Sequence, residues 1–522
     1  MENGFRRDRQ VSRRADSPGR SAPPIREAAA SGHPEKETKK GTGRMSRETA
    51  LPVDVLKRYP RPDEERLERD YAEALGRFSS RIIVMDDDPT GVQTVHDIPV
   101  YTDWSRETFA EGFAGESAMF FILTNSRSMG REETEKVHRE MAERIADVSA
   151  ECGRDYTLIS RSDSTMRGHY PAETEILRRV TEEKTGIRFD GEILCPFFRE
   201  GGRYTIDNVH YVREGDRLVP AGQTEFARDR TFGYSSSHLG EWVEEKSGGR
   251  YRKEDCIYIS LEDLRALNYE KITGQLMAAE GFRKIIVNST EYCDVKAFTV
   301  AYINTVNRGR HFIFRSAAAV PKILGGIKDA PLLGGDRLRS AGRGNGGIII
   351  VGSHVNKTTR QLEALKRSGL PVTFLEFSAE SALRPGGPEA EKKRVLQEAE
   401  PLIRAGRTVA VYTSRKLLQT GDQDRERLLA VSVGISDALA GIVGELAVRP
   451  GFIIAKGGIT SSDVGTKGLR VHRATVMGQI KPGIPVWLTG EESRFPHMPY
   501  VIFPGNVGDE QTLKEIVAEL IA

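Results

Sequence analysis

"RIIVMDDDPTGVQTVHDIPVYT", residues 81–102, opens with a short run of β-branched and apolar residues and then sets down three carboxylates, Asp86, Asp87 and Asp88, before a Pro-Thr-Gly turn. An apolar run of this length bounded by a turn reads as a buried strand. Three acids at its end are costly, because like charges this close resist full ionisation unless a cation or a hydrogen-bonding ligand shares the site. In open α/β sheets, ligands bind outside the carboxyl ends of the strands. The stretch therefore predicts an α/β sheet whose functional edge begins at Asp86.

The rest of the chain follows the same alternation. "RIIVM", "AMFFILT", "YTLIS", "GEILCP", "CIYIS", "KIIVN" and "HFIFRS" read as strands, and segments such as "REETEKVHREMAERIADVSA" between them carry apolar residues at helical spacing. That is the βαβ signature of a largely parallel sheet. Residues 199–233 differ, with polar turns that suggest an antiparallel excursion. Residues 325–347, "GGIKDAPLLGGDRLRSAGRGNGG", are rich in Gly and Arg without periodicity and mark a linker or mobile loop. A second alternation then begins with "GIIIVGS", "VTFLEF", "TVAVYT", "FIIAKGG", "PVWLTG" and "YVIFPG", with helices expected near 356–368, 388–405 and 424–447. The reading is an α/β protein of two domains, each a largely parallel sheet flanked by helices, with a ligand cleft between them. The boundaries expected are 78–322 for the N-terminal domain, 323–346 for the linker and 347–522 for the C-terminal domain.

Bulk composition agrees with a soluble globular protein. The 522 residues are 38% hydrophobic and 29% charged, and no apolar run nears the ~20 residues that span a bilayer. A formal charge of +2 gives no electrostatic case for nucleic acid. Residues 1–44 hold eleven Lys or Arg against six Asp or Glu, amid Ser, Pro and Gly. Residues 1–45 are accordingly expected to be a disordered basic tail, with Met45 a candidate alternative start. The tail lacks the apolar centre of a secretory signal. Cys152, Cys195, Cys256 and Cys293 are widely spaced, so neither a zinc site nor a disulfide framework is readable, and a reducing cytoplasm fits.

Every candidate site lies at a strand end. Beside the acids and Thr90-Gly91, "LTNSRS" supplies Ser126 and Arg127. "ISRSDSTMRGHYP" supplies Arg161, Asp163, Ser164, Thr165, Arg167, Gly168 and His169 just before a helix. Arginines and hydroxyls at a helix N-terminus make an anion site, since free N–H groups and the helix dipole add to the guanidinium charge. Carboxylates suit sugar hydroxyls or magnesium, and Arg suits carboxylate or phosphate. Taken singly, each loop is equally well a polar turn with helix caps; three together point to a polar small-molecule site. A rival reading takes "IIVMDDDPTGV" as the D-x-D-x-[TV] motif of a haloacid-dehalogenase-like sugar phosphate phosphatase, with Asp86 as nucleophile and Asp88 as acid/base. That reading lacks the later pair of acids and leaves residues 350–522 unexplained.

In the C-terminal half, "IIIVGSHVNKTTRQLEAL" is not a P-loop, because it lacks the second glycine and is one residue short. Its Gly352-Ser353 turn still offers a hydroxyl and N–H groups. "FIIAKGGITSSDVG" repeats the design with Lys456, Gly457, Gly458, Ile459, Thr460 and Ser461, and "YVIFPGNVGDEQ" repeats it with Gly505, Asn506 and Gly508. Three glycine-bearing strand ends suggest a nucleotide whose phosphates approach the backbone closely. A non-catalytic sugar-acid sensor would leave those glycines without purpose.

Taken in order, the D-D-x-T-G loop (Asp87 to Gly91), the D-S-T-x-x-G loop (Asp163 to Gly168), Gly352-Ser353, G-G-x-T (Gly457 to Thr460) and G-N-x-G (Gly505 to Gly508) resemble the four-carbon acid sugar kinase family over about residues 80–520. The resemblance implies an N-terminal domain binding a threonate, erythronate or oxo-tetronate and a C-terminal domain binding ATP, with Mg²⁺ accompanying the nucleotide. It implies phosphoryl transfer to a terminal hydroxyl. A homodimer is the candidate assembly, and charge and hydropathy give no nucleic-acid or membrane partner. Carried over by motif, Ser353, Gly457, Gly458, Ile459, Thr460 and Gly505 contact ATP, joined by Asn506, and Lys456 reaches a phosphate. Asp87 and Asp88 are the catalytic pair, with Asp87 taking the hydroxyl proton. Thr90, Gly91, Ser126, Asp163, Ser164 and Gly168 line the substrate site, and Arg127, Arg161 and Arg167 hold its carboxylate. The chain departs from familiar members in carrying Ile459 where they often have an acid, and three acids where they have two.

Overall fold

The structure is a computed structural model that describes residues 48–339, 344–415 and 425–522. The basic tail expected over residues 1–45 lies outside the described residues, as does part of the linker.

One mixed sheet of fifteen strands runs through the chain. Its order is Ile257–Ile259, Arg283–Val287, Gly191–Cys195, Phe312–Ser316, Tyr156–Arg161, Arg81–Asp86, Met119–Leu123, Ile98–Tyr101, Arg473–Lys481, Ile484–Thr489, Pro499–Phe503, Ile453–Lys456, Ile348–Val351, Thr408–Thr413 and Val372–Phe377. The first eight strands run parallel to their neighbours, as do the last five. These two blocks are the parallel sheets expected from the sequence. Strands covered by helices on both faces bury every residue, which is why they read as unbroken apolar runs. Ile82–Met85, Met119–Leu123 and Ile348–Val351 are all buried.

What the apolar runs do not announce is how the blocks are joined. Arg473–Lys481 pairs antiparallel with Ile98–Tyr101 on one side and with Ile484–Thr489 on the other, so the two domains share one sheet edge to edge. Its residues alternate between buried and partly exposed, the pattern of a strand with one covered face.

The stretch 199–233 is antiparallel as expected. Arg203–Ile206, Val209–Glu214 and Arg217–Pro220 form a meander, with Leu51–Pro52 added at its edge. Helices cover the large sheet. In Arg131–Cys152, the residues Val137, Met141, Ile145 and Val148 face the core, at the spacing of one helical stripe. The helices Asn356–Lys366, Gly387–Arg404 and Arg425–Glu445 fall where periodicity placed them. The described part of the Gly/Arg-rich linker is anchored, since Leu333 and Leu338 are buried with Ile480, Val486 and Leu520 of the C-terminal half. Among the described residues, no helix is long and apolar enough to cross a membrane.

Candidate active site between the acid cluster and the glycine turns

Arg81–Asp86 lies between Met119–Leu123 and Tyr156–Arg161, in a register that sets Asp86 beside Leu123 and Arg161. The loops leaving these three neighbouring strand ends therefore converge. Arg161 Nη1 stands 3.0 Å from Asp86, 3.4 Å from Asp87 and 3.9 Å from Asp88. Arg127 pairs with Asp88, lies 3.6 Å from Asp87 and reaches Asp163 at 3.0 Å. Arg167 grips Asp163 with two bonds, 2.8 Å through Nε and 3.2 Å through Nη2. The three acids of the opening turn are thus held in a lattice of guanidinium groups.

That lattice sets their protonation. Burial pushes the Asp86 carboxyl up to about 7 even though Arg161 pulls the other way. Burial also raises Asp87, against Arg127 and Arg161. Asp163 is buried too, but Arg167 and Arg127 outweigh that cost and hold it well below the usual carboxylate range. Local bonds fix the loops. The Thr90 amide donates to Asp88 at 2.7 Å, the Asp163 amide to Asp87 at 3.2 Å, and Ser126 Oγ to Glu173 at 2.8 Å. His210 is fully buried and bonds the Ser164 carbonyl at 2.8 Å and Thr205 at 3.0 Å. His169 bonds the Ser126 carbonyl at 3.1 Å.

The acids are not equally available. Asp86 and Asp87 are 2% exposed, whereas the Asp88 side chain keeps 17%. Gly91 lies so close over the Asp86 carboxyl that a Cβ there would overlap it. The Asp86 carboxyl is paired with Arg161 and covered by Gly91, so it does not present the free nucleophile that a phosphatase needs, and the rival reading built on Asp86 and Asp88 is not favoured. Arg127, Arg161 and Arg167 are all engaged with these acids. Arg315, which sequence reasoning missed, is different. It is buried, its Nη2 donates to the Arg167 carbonyl at 3.0 Å, and its Nε has no partner among the described residues. A Cβ on Gly168 would stand 3.4 Å from Arg315, 3.7 Å from Asp87 and 3.8 Å from Glu173, whose Oε2 is also unpartnered.

Across the junction, the glycine turns meet one another. A Cβ on Gly352 would collide with Thr460, and one on Gly457, at φ 126°, would come 2.9 Å from Ser353 Cβ. A Cβ on Gly505 would come 3.0 Å from Ser353 Oγ. Ser353, Gly457, Thr460 and Gly505 are therefore assembled from three parallel strand ends. Gly458 is open, and Ile459 beside it is 61% exposed. Asn506 offers its carbonyl to Lys357 Nζ at 3.2 Å.

Lys456 sits otherwise than the sequence suggested. Its Nζ is buried, donates to the Pro504 carbonyl at 2.6 Å and lies 3.6 Å from the Phe503 ring centre. Burial, aided by the like charge of Lys357, pushes it down to about 6. It braces the Pro504 turn from inside. Gly352, Gly457 and Gly505 pack the three turns against one another, and Gly458 alone of these glycines opens onto free space, where a phosphate could approach the backbone closely. For a resident metal the donors do not fit: among the described residues no group of three or more His, Cys, Asp or Glu is placed to hold one. The two halves face each other at Asp88, whose Oδ2 would lie 3.7 Å from a Cβ on Gly458.

Residues 82–324 match the family model of a sugar-binding N-terminal domain, and residues 348–513 match that of a nucleotide-binding C-terminal domain. No curated protein matches the sequence. Among solved structures, a Salmonella typhimurium LT2 protein provisionally described as a tRNA synthase superposes with a TM-score of 0.57 at 16% identity, covering 84% of this chain and 98% of its own. Haemophilus influenzae protein HI1011, assigned to the DUF1537 family, superposes at 0.52 with 17% identity, covering 84% and 100%. At such identities these structures speak for the fold. With both domain models matched in order and together taking in most of its length, the chain belongs to the four-carbon acid sugar kinase family.

Proposed function

We propose that this protein is an ATP-dependent kinase that phosphorylates a terminal hydroxyl of a four-carbon acid sugar of the threonate, erythronate or oxo-tetronate type. The observation that carries the reading is the approach of Asp88 to Gly458, which sets the most open acid of the sugar-binding half against the glycine turn of the nucleotide-binding half. Phosphoryl transfer asks mainly for positioning and charge neutralisation, and both halves supply them.

Asp88 takes the proton of the attacking hydroxyl, since it faces the junction. Asp87 and Asp163, fixed by Arg127, Arg161 and Arg167, orient the sugar's other hydroxyls, with Thr90, Ser126 and Ser164 around them. Arg315, a guanidinium paired with no carboxylate among the described residues, is the group we assign to the substrate carboxylate, beside the space over Gly168. Ser353, Gly457, Gly458, Thr460 and Gly505 would cradle the phosphates of ATP, and the exposed Ile459 would flank the nucleotide. Mg²⁺ would arrive on the triphosphate and screen its charge.

The test is ATP consumption by the purified full chain against a panel of four-carbon sugar acids. Turnover with one or a few of them, and a phosphorylated product by mass spectrometry, is expected. Sugar-phosphate hydrolysis without nucleotide would overturn the reading.

A further inference from the structure

Glu173 is a buried carboxyl that none of the sequence motifs contains. It is the second residue of the helix Ala172–Thr185 and is only 2% exposed. A carboxylate in a first turn suits the helix dipole, but that gain does not require burial. One of its oxygens is engaged, since Ser126 Oγ donates to Oε1 at 2.8 Å. His138 adds no hydrogen bond. Its Nδ1 donates to the Thr134 carbonyl at 2.8 Å, and its Nε2 stops 4.0 Å from the same Oε1. Oε2 is buried and has no partner among the described residues. A buried acceptor left unbonded carries its full desolvation cost, so Oε2 points to a donor that a ligand would bring.

The group opposite is Arg315, on the strand Phe312–Ser316, in register with Ser160 of the strand that leads into the Asp163 loop. Its Nη2 donates to the Arg167 carbonyl at 3.0 Å, and its buried Nε has no partner among the described residues. Both groups border one point. The place a Cβ would take on Gly168 lies 3.4 Å from Arg315 Nη2, 3.7 Å from Asp87 Oδ2 and 3.8 Å from Glu173 Oε2. Gly168 has φ 123°, so the chain carries a residue without a side chain where the three groups converge. Asp87 Oδ2 already accepts from the Asp163 amide at 3.2 Å. Glu173 Oε2 is the acceptor left open, and it does not bond Arg315.

We propose that Glu173 Oε2 accepts a hydrogen bond from the substrate hydroxyl on the carbon next to the carboxylate, so that the protein takes 2-hydroxy acids and rejects 2-oxo acids. This rests on the kinase reading above and narrows its substrate class. A carboxylate and the hydroxyl on the adjacent carbon are close-set groups, which suits a guanidinium and an acceptor that border one point. The hydroxyl brings the hydrogen that Oε2 lacks. A 2-oxo group brings only lone pairs and would set its oxygen against the carboxylate. A methylene there would leave Oε2 unbonded. Sites built to bond a hydroxyl reject the analogue without it strongly, because a buried polar group is then left unpaired. Ser126, holding the other oxygen, fixes which one faces the ligand.

The test compares kcat/KM of the full chain for three compounds: the four-carbon acid it turns over best, the 2-deoxy form of that acid and the 2-oxo form. Wild type should prefer the 2-hydroxy acid over both others by ~10²-fold or more. Glu173→Gln keeps the shape and an acceptor for Ser126 but turns an amide donor toward the ligand. Its preference over the 2-oxo acid should shrink at least tenfold, with the KM for MgATP within about twofold of wild type. Glu173→Asp, which withdraws the carboxylate by one methylene, should lose at least tenfold with the 2-hydroxy acid and stay within about threefold with the 2-deoxy acid. Thermal melts identify which variants are folded, and if neither is, the wild-type preference decides. If wild type takes the 2-deoxy or 2-oxo acid as well as the 2-hydroxy acid, the assignment is overturned while the kinase reading stands. The same holds if a folded variant keeps the wild-type preference, or loses all three acids alike as a mere prop for Ser126 would. If no four-carbon acid is turned over with ATP, the kinase reading falls and this assignment with it.

Discussion

Asp88 and Gly458 belong to different domains and stand face to face, with 3.7 Å between the Asp88 Oδ2 and the place a Cβ would occupy on Gly458. Gly457, one residue earlier, has the opposite character. Its φ of 126° and the 2.9 Å approach to Ser353 Cβ make it a residue the fold itself requires. Two adjacent glycines therefore differ, one packed inside the protein and one open to the junction, where the proposed function puts the nucleotide.

This separates function from stability by mutation. Gly458→Val projects into the junction without meeting anything closer than Asp88, so the variant should fold with a Tm within a few degrees of wild type. Its affinity for ATP should drop at least tenfold, because the side chain stands where a phosphate oxygen would lie. Gly457→Ala should instead lose about 1–3 kcal/mol of stability, the usual range for a non-glycine residue forced into such a conformation. Calorimetric binding and thermal melts on the two variants check both halves. Equal ATP affinity in Gly458→Val would move the nucleotide elsewhere.

The acids should divide in the same way. Asp88→Asn removes the carboxylate proposed to accept the hydroxyl proton and should lower kcat by about two to four orders of magnitude while ATP affinity stays near wild type. Asp86→Asn keeps a hydrogen-bond acceptor for Arg161 and replaces a carboxyl that already holds its proton near neutrality, so its kcat should change far less. Steady-state kinetics beside ATP titration read the difference. A larger loss from Asp86→Asn than from Asp88→Asn would refute the assignment.

Much of this was open to reading in the sequence because the central strands are buried on both faces. Runs such as "RIIVM" and "GIIIVGS" admit few other interpretations, and the loops that follow them had to share one edge of the sheet. The junction was not open to reading. Ile98–Tyr101 is four residues long with a proline in it, and its partner Arg473–Lys481 lies more than 370 positions away and carries two irregularities of register. Nothing in the sequence signalled that the Lys456 amine would bond the Pro504 carbonyl, since that contact joins residues 48 positions apart.

Lys456 yields a prediction about stability rather than catalysis. An unfolded lysine keeps its proton to pH 10.5, whereas burial, with the nearby charge of Lys357, pushes Lys456 in the folded protein down to about 6. Between pH 6 and 10.5 the unfolded chain therefore holds one more proton at this residue than the folded one. Stability must rise with pH across that window, by up to ~1.4 kcal/mol per pH unit from this group alone. Lys456→Met preserves the stem against Phe503 and removes the proton, and it gives up the bond to Pro504, worth about 1 kcal/mol. Urea unfolding at several pH values from 6.5 to 9 should show the wild-type slope reduced by close to one proton in the variant. The variant should also be the more stable protein at the acid end of that range, where neutralising wild-type lysine costs most. An unaltered slope would mean that Lys456 keeps its charge inside the fold, and its place beneath the glycine turn would then need an anion that nothing in the described surroundings supplies.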